Sequence, residues 1–217
     1  MERYFQFNNY NSFTDWGLIV TEKVVTPPEP KTNYVEIDGR SGSLDLTEAL
    51  TGEVKYNDRT VEASFWTSDG TRAERERMIN EIVTALHGRK IQIIEPDDPE
   101  HYFIGRPLVT SYLNILPYAE LTIEAVCEPW RYAIEETKRR VEVAGSTVDV
   151  AIHNGGTKTI IPTVTVDGSV TISYGGALTK LTSGRYQLLD LKLCHGTNLV
   201  TVSGDGAVTF AYREATL

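Results

Sequence analysis

The side chains best suited to bind metal or act as nucleophiles are four histidines and two cysteines, and their spacing argues against both roles. His87, His101, His153 and His195 form no H-x-x-x-H or H-E-x-x-H pair, and Cys127 and Cys194 form no C-x-x-C, so the zinc signatures are missing. Cys194 and His195 are adjacent, and neighbouring residues of a strand point to opposite faces, which makes joint ligation awkward. Asp97, Asp98, Glu100 and His101 form the densest acidic group, with oxygen ligands of the kind that hold a hard cation. A solvated hairpin tip accounts for the same residues more simply. Gly155-Gly156-Thr157-Lys158-Thr159 has the look of a phosphate loop, but that motif needs glycine directly before the lysine and a helix after it. Thr157 stands there instead, and Ile160-Ile161-Pro162 follows. Gly39-Arg40-Ser41-Gly42 likewise misses the G-x-S-x-G elbow. Trp16, Trp66, Trp130 and eleven tyrosines can stack on sugars, with Tyr174, Tyr186 and Tyr212 as candidate ligand-binding residues, but β proteins use aromatics mainly as core. No catalytic residue, metal site or cofactor site emerges, so the chain reads as a non-enzyme with no cofactor.

The elements that carry these residues are mostly strands. One segment reads as a helix, 71–87: Thr71 caps it and Glu74 reaches back in a capping box. Met78, Ile79, Ile82, Val83 and Leu86 share a face, and Gly88 supplies the stop. Arg72, Glu74, Arg75, Glu76 and Arg77 are expected to be solvated. About 17 residues is marginal for a helix alone, so its apolar face must lie on a sheet. Arg59–Trp66, Ile91–Glu95, Tyr102–Arg106 and Ala119–Cys127 read as strands, with a turn at Pro96–Glu100. Arg131–Arg140, charged and weakly periodic, reads as a connector. Beyond it come short strands at Val148–Ile152, Thr163–Val166, Val170–Tyr174, Leu188–Leu193, Leu199–Val202 and Val208–Tyr212. Between them Asn154-Gly155-Gly156, Asp167-Gly168, Gly175-Gly176, Ser183-Gly184, His195-Gly196 and Gly204-Asp205-Gly206 read as turns. The expected fold is mainly β: residues 1–130 form a β-sandwich domain with one helix, and 131–217 a small jelly-roll-like sandwich.

Composition narrows the function classes. The 217 residues carry 30 Asp+Glu against 21 Lys+Arg, a net of −9, which disfavours general nucleic-acid binding and docking on an anionic membrane. The charge is uneven: residues 1–128 hold −10 and the remaining 89 hold +1. Two cysteines far apart are no disulfide framework, and both are expected to be reduced and buried. The N-terminus lacks the apolar stretch of a signal peptide and no apolar run reaches the ~20 residues of a spanning helix, so synthesis in the cytosol is expected.

Particular strings say more than the chemistry. Phe7-Asn8 followed by Trp16-Gly17-Leu18-Ile19-Val20 opens the chain. Tyr34-Val35-Glu36-Ile37-Asp38-Gly39-Arg40-Ser41-Gly42-Ser43-Leu44-Asp45 comes next, then Leu86-His87-Gly88 and Gly105-Arg106. Later come Asn154-Gly155-Gly156-Thr157 with Pro162, and Gly196-Thr197-Asn198 leading to Gly204. In this order the chain resembles the distal tail protein (Dit) family of siphophages and of prophages in Gram-positive bacteria. The resemblance implies a ring-forming N-terminal β domain with a helix and an extended hairpin, and a C-terminal domain like a galectin or carbohydrate-binding module. It further implies a hexameric ring in the virion, assembled in the bacterial host cytoplasm. That ring joins the tail tube protein to a tail-tip, tail-associated or receptor-binding protein, and DNA passes through its channel without specific binding. The alternative it leaves open is a carbohydrate-binding module that recognises host cell-wall saccharide. The second domain lacks the large insertions that serve this purpose in some relatives.

Overall fold

The computed structural model describes residues 3–217 and is mainly β, with fifteen strands and one α-helix among the described residues. The chain divides into two compact units, Met1–Pro129 and Trp130–Leu217.

In the first unit the strands are β1 (Gln6–Phe7), β2 (Tyr10–Asn11), β3 (Ile19–Val25), β4 (Tyr34–Val35), β5 (Leu44–Asp45), β6 (Arg59–Thr67), β7 (Ile91–Ile94), β8 (His101–Asn114) and β9 (Ala119–Cys127). Helix α1 (Arg72–Leu86) follows β6. Seven strands run in the order β2-β1-β7-β8-β9-β6-β3, each pair antiparallel. Strict alternation in β6 and β9 places Val61, Ala63, Phe65, Leu121, Ile123 and Ala125 inward. Helix α1 lays Ile82 and Leu86 on this face, together with Phe5, Phe7 and Ile93 from the far side of the sheet. Thr71 accepts from the Glu74 N–H while the Glu74 carboxylate accepts from the Thr71 N–H, closing the capping box. Such a cap contributes about 1 kcal/mol. Arg75 departs from expectation: it is 2% exposed and belongs to the buried stripe with Ile79, Ile82 and Leu86.

Between β3 and β6 the chain leaves the sheet as an arm, and no residue from Thr26 to Asp58 is buried. The arm is ordered by its own backbone: Pro30 bridges Tyr56, and β4 pairs with β5 across the Gly39–Gly42 turn.

The second unit holds β10 (Arg131–Ala133), β11 (Thr137–Asn154), β12 (Thr163–Tyr174), β13 (Ala177–Gln187), β14 (Gly196–Tyr212) and β15 (Ala215–Thr216). β10 pairs with β15, and the four long strands run β11-β14-β12-β13. Several expectations are corrected here. The Arg131–Arg140 connector contains β10 and the start of β11; its charge is that of an edge strand, where side chains face solvent. Asp167-Gly168, Ser183-Gly184 and Gly204-Asp205-Gly206 are not turns but lie inside strands. Leu188–Leu193 is not a strand but a loop tied by the Ile160–Leu193 bridge.

The glycines explain the difference. Gly168 and Gly206 face each other in register, with φ of 112° and 148°. A Cβ on Gly206 would lie 2.2 Å from the Asp167 carbonyl oxygen. On both sides of this level the same sheet face is buried: Val164, Val166, Val208 and Phe210 before it, and Val170, Ile172, Val200 and Val202 beyond. The strands therefore bend across a glycine line, and the sheet closes on one shared core as a sandwich does.

Candidate functional site

The residues singled out for chemistry are placed apart and hold one another in structural tasks. Asp97 accepts from the Arg3 guanidinium at 2.5 and 2.6 Å and from Lys23 Nζ at 2.8 Å, while Lys23 also pairs with the largely buried Glu95. Asp98 bonds His101 Nδ1 at 2.7 Å. The acidic group is thus an ion-pair network at the β7–β8 turn, and among the described residues no cluster of three His, Cys, Asp or Glu can hold a metal ion.

Hydrogen bonds from Arg3 and then Lys23 hold the Asp97 carboxyl down at about 2, below the ordinary ~3.9. A carboxylate depressed in the folded state contributes stability that is present above its unfolded pKa and is lost as pH falls through the folded one. Urea midpoints measured between pH 5 and 2 should therefore fall less in Asp97→Asn than in the unsubstituted chain. An identical decline in both would show that Asp97 is not stabilised by this network.

Cys127 is buried against Gly105, where burial pushes its thiol up to about 12, and Cys194 is free and exposed. The exposure of Cys194 corrects the expectation of two buried thiols: the Asn198 side chain bonds the Cys194 main chain and leaves Sγ outside. His195 Nδ1 meets the Gly156 carbonyl at 3.0 Å. Gly156 itself packs on β15, where a Cβ would meet Ala215 oxygen at 2.4 Å. Lys158 Nζ sits over the Tyr132 ring at 4.7 Å, so the glycine-rich string is a packed turn.

The three tyrosines have their hydroxyls committed to main-chain carbonyls. Tyr174 donates to Lys192 O at 2.6 Å, Tyr186 to Thr182 O at 3.0 Å, and Tyr212 to His153 O.

The residues carrying the family resemblance shape turns and joints. Trp16 and Leu18 are buried in the first core, and Gly17 takes φ +62° with Asp69 closely packed against it. Gly39, Arg40 and Gly42 form the exposed tip of the β4–β5 arm. Gly105 faces Cys127 in register, and Arg106 donates to the Gly88 carbonyl at 2.8 Å. Asn154 is fully buried and donates to Lys158 O and Leu193 O; Gly155 N–H donates to Glu214. Asn198 ties the turn before β14 by bonds to Cys194 and Tyr174.

What the surface offers is contact area. The arm exposes Tyr34, Val35, Ile37 and Leu50, the last at 95%, and an open groove of about 640 Å³ runs beside Pro30, Tyr34, Asp45 and Glu48. The β8–β9 hairpin tip exposes Ile115 and Leu116. That tip is clamped to α1 by Arg75, which donates to Asn114 Oδ1 at 3.3 Å, Gly70 O at 2.8 Å and Ile115 O at 2.9 Å. Asn114 in turn donates to Arg72 O and Glu76. Arg75, expected to be solvated, shares the helical spacing 75, 79, 82, 86 of the buried stripe.

This architecture, two β units in one chain with a single helix in the first, recurs in a solved phage protein. One solved structure that shares it is that of SPP1 Dit (gp 19.1), described as a paradigm of the hub adsorption apparatus in phages that infect Gram-positive bacteria. The likeness has a TM-score of 0.71 at 14% identity and covers 98% of this chain and 99% of that one. No protein-family model and no curated protein matches the chain.

Proposed function

We propose that the chain is a structural virion protein, a distal tail hub whose copies close into a hexameric ring between tail tube and tail tip and leave a channel for DNA. The observation that carries this reading is likeness over the whole length of both chains to a hub adsorption protein. The arm supports assembly. A segment of 33 residues with no buried side chain, yet four exposed large apolar ones, has little to offset the entropy of ordering it within one chain. Exposed apolar surface of this kind marks protein–protein contact. A contact between unlike patches closes a ring when its rotation divides the circle, and an arm that meets the next copy is such a contact.

The hub's partners are then the tail tube protein on one side and a tail-tip or receptor-binding protein on the other. Its place is the distal end of the virion tail, assembled in the host cytoplasm, and it works without catalysis or cofactor. The experiment that tests the reading is the assembled mass of the full chain in solution, by native mass spectrometry with imaging of the particles.

A further inference from the structure

Aspartate or asparagine precedes glycine at five steps of the chain: Asp38-Gly39, Asp69-Gly70, Asn154-Gly155, Asp167-Gly168 and Asp205-Gly206. At each, the glycine nitrogen can close a five-membered ring on the preceding side-chain carbonyl carbon. Glycine carries no side chain to hinder the approach, so the freedom of the backbone to turn decides whether the ring forms.

The fold denies that freedom at four of the steps. Asn154 is fully buried, its amide is bonded to Lys158 O, Leu193 O and the Gly156 N–H, and the Gly155 N–H donates to Glu214 at 3.1 Å. The Gly168 N–H donates to Ser183 Oγ at 2.9 Å. Asp205 and Gly206 are paired on both sides, with β11 and with β12. The Asp69 N–H donates to Thr67 Oγ1, and the Gly70 carbonyl is held by Arg75 at 2.8 Å.

Asp38-Gly39 differs in every respect. It forms the tip of the arm, in a turn closed by one bond from the Arg40 N–H to the Ile37 carbonyl at 3.1 Å. Both residues are exposed, and nothing lies within 4 Å of where a Gly39 Cβ would stand. Among the described residues the Asp38 carboxyl has no hydrogen bond or ion pair, and the Gly39 N–H has no acceptor. The ladder beneath the turn is only Tyr34 with Asp45 and Val35 with Leu44, so little opposes local opening.

We infer that Asp38-Gly39 is a site of spontaneous isomerisation of aspartate to isoaspartate, selected by the fold from the five steps. The Gly39 nitrogen attacks Asp38 Cγ and a bond forms between them; the protonated carboxyl loses its hydroxyl, which leaves with the amide proton as water. Water then adds to either carbonyl of the succinimide. Addition at Cγ restores aspartate. Addition at the main-chain carbonyl breaks its bond to the Gly39 nitrogen, so the chain runs through Cβ and the carboxylate stands on Cα. Mass is unchanged, and the main chain gains one carbon at the arm tip. The step needs no enzyme or oxidant and does not depend on the ring reading.

The test holds the full chain in warm, mildly acidic buffer for weeks and then maps its peptides. Isoaspartate is read as an equal-mass peptide of shifted retention, and as methyl acceptance from S-adenosylmethionine in the presence of an isoaspartyl methyltransferase. In the native chain the converted fraction at Asp38 should exceed that at each of the other Asp-Gly steps by at least about tenfold, because those react only in molecules whose local structure has opened. In denaturing urea the Asp-Gly steps should draw level. Asp38→Asn, which forms the same ring by loss of ammonia, should convert faster and gain the mass of a deamidation. Asp38→Glu, whose ring would have six members, should lose the signal at this position. An intact Asp38 in the native chain, or conversion spread over the Asp-Gly steps as evenly as in urea, overturns the assignment.

Discussion

Replacing Arg75 with alanine is expected to destabilise the first unit by about 3–5 kcal/mol, read as a fall in the urea midpoint. The guanidinium is 2% exposed and bonds three acceptors: the Gly70 and Ile115 carbonyls and Asn114 Oδ1. Its loss strands those acceptors, each at about 1–3 kcal/mol when buried, and opens a void beside Ile79. Lysine should not restore stability, because its ammonium cannot span three acceptors lying in the plane of a fork. Amide exchange should rise first at Asn114–Tyr118, where the hairpin tip loses its tie to α1. A cost below about 1 kcal/mol would show that the clamp does not hold the tip.

In the second unit the largest effect is expected from Gly206→Ala. The residue sits at φ +148°, and its new Cβ would lie 2.2 Å from Asp167 oxygen and 3.0 Å from Gly168 Cα. Both contacts are to backbone of a paired central strand, so relief requires the strands to separate. Strain of this kind with a steric clash costs about 3–5 kcal/mol. Gly175→Ala is the control: φ is +57° and nothing lies within 4 Å of its Cβ, so about 1 kcal/mol is expected. Thermal unfolding followed by exchange of β12 and β14 amides separates the two, and similar losses in both variants would remove the glycine line as the cause of the bend.

These two positions also show where the sequence was legible. Helix α1 could be read because its cap, apolar face and stop are local signals, and β6 and β9 because strict alternation marks a sheet with one buried face. The length of β12 and β14 could not be read. Asp167-Gly168 and Gly204-Asp205-Gly206 have turn composition, and only their register against each other converts them into a bend. The charged run 137–142 concealed an edge strand for a similar reason, since an edge needs polar side chains to stay unpaired. The family strings were legible as residues, but what they do was not: Asn154 and Asn198 bond carbonyls brought near only by the finished sheet. The opposition of Glu62 and Glu124 is likewise a property of pairing, invisible to a count that assigned −10 to the first 128 residues. Register gathers Glu62, Glu120 and Glu124, part of that charge, on the sheet face turned away from α1.

The central claim is that the chain closes on copies of itself as a hub. The most direct measurement is the native mass of the full-length protein at tens of micromolar, with and without the tail components it would join. Six copies of a 24.2 kDa chain give a closed species of about 145 kDa with a central hole in particle images. A strict monomer under all of these conditions, with no ring alongside the tail components, would contradict the account.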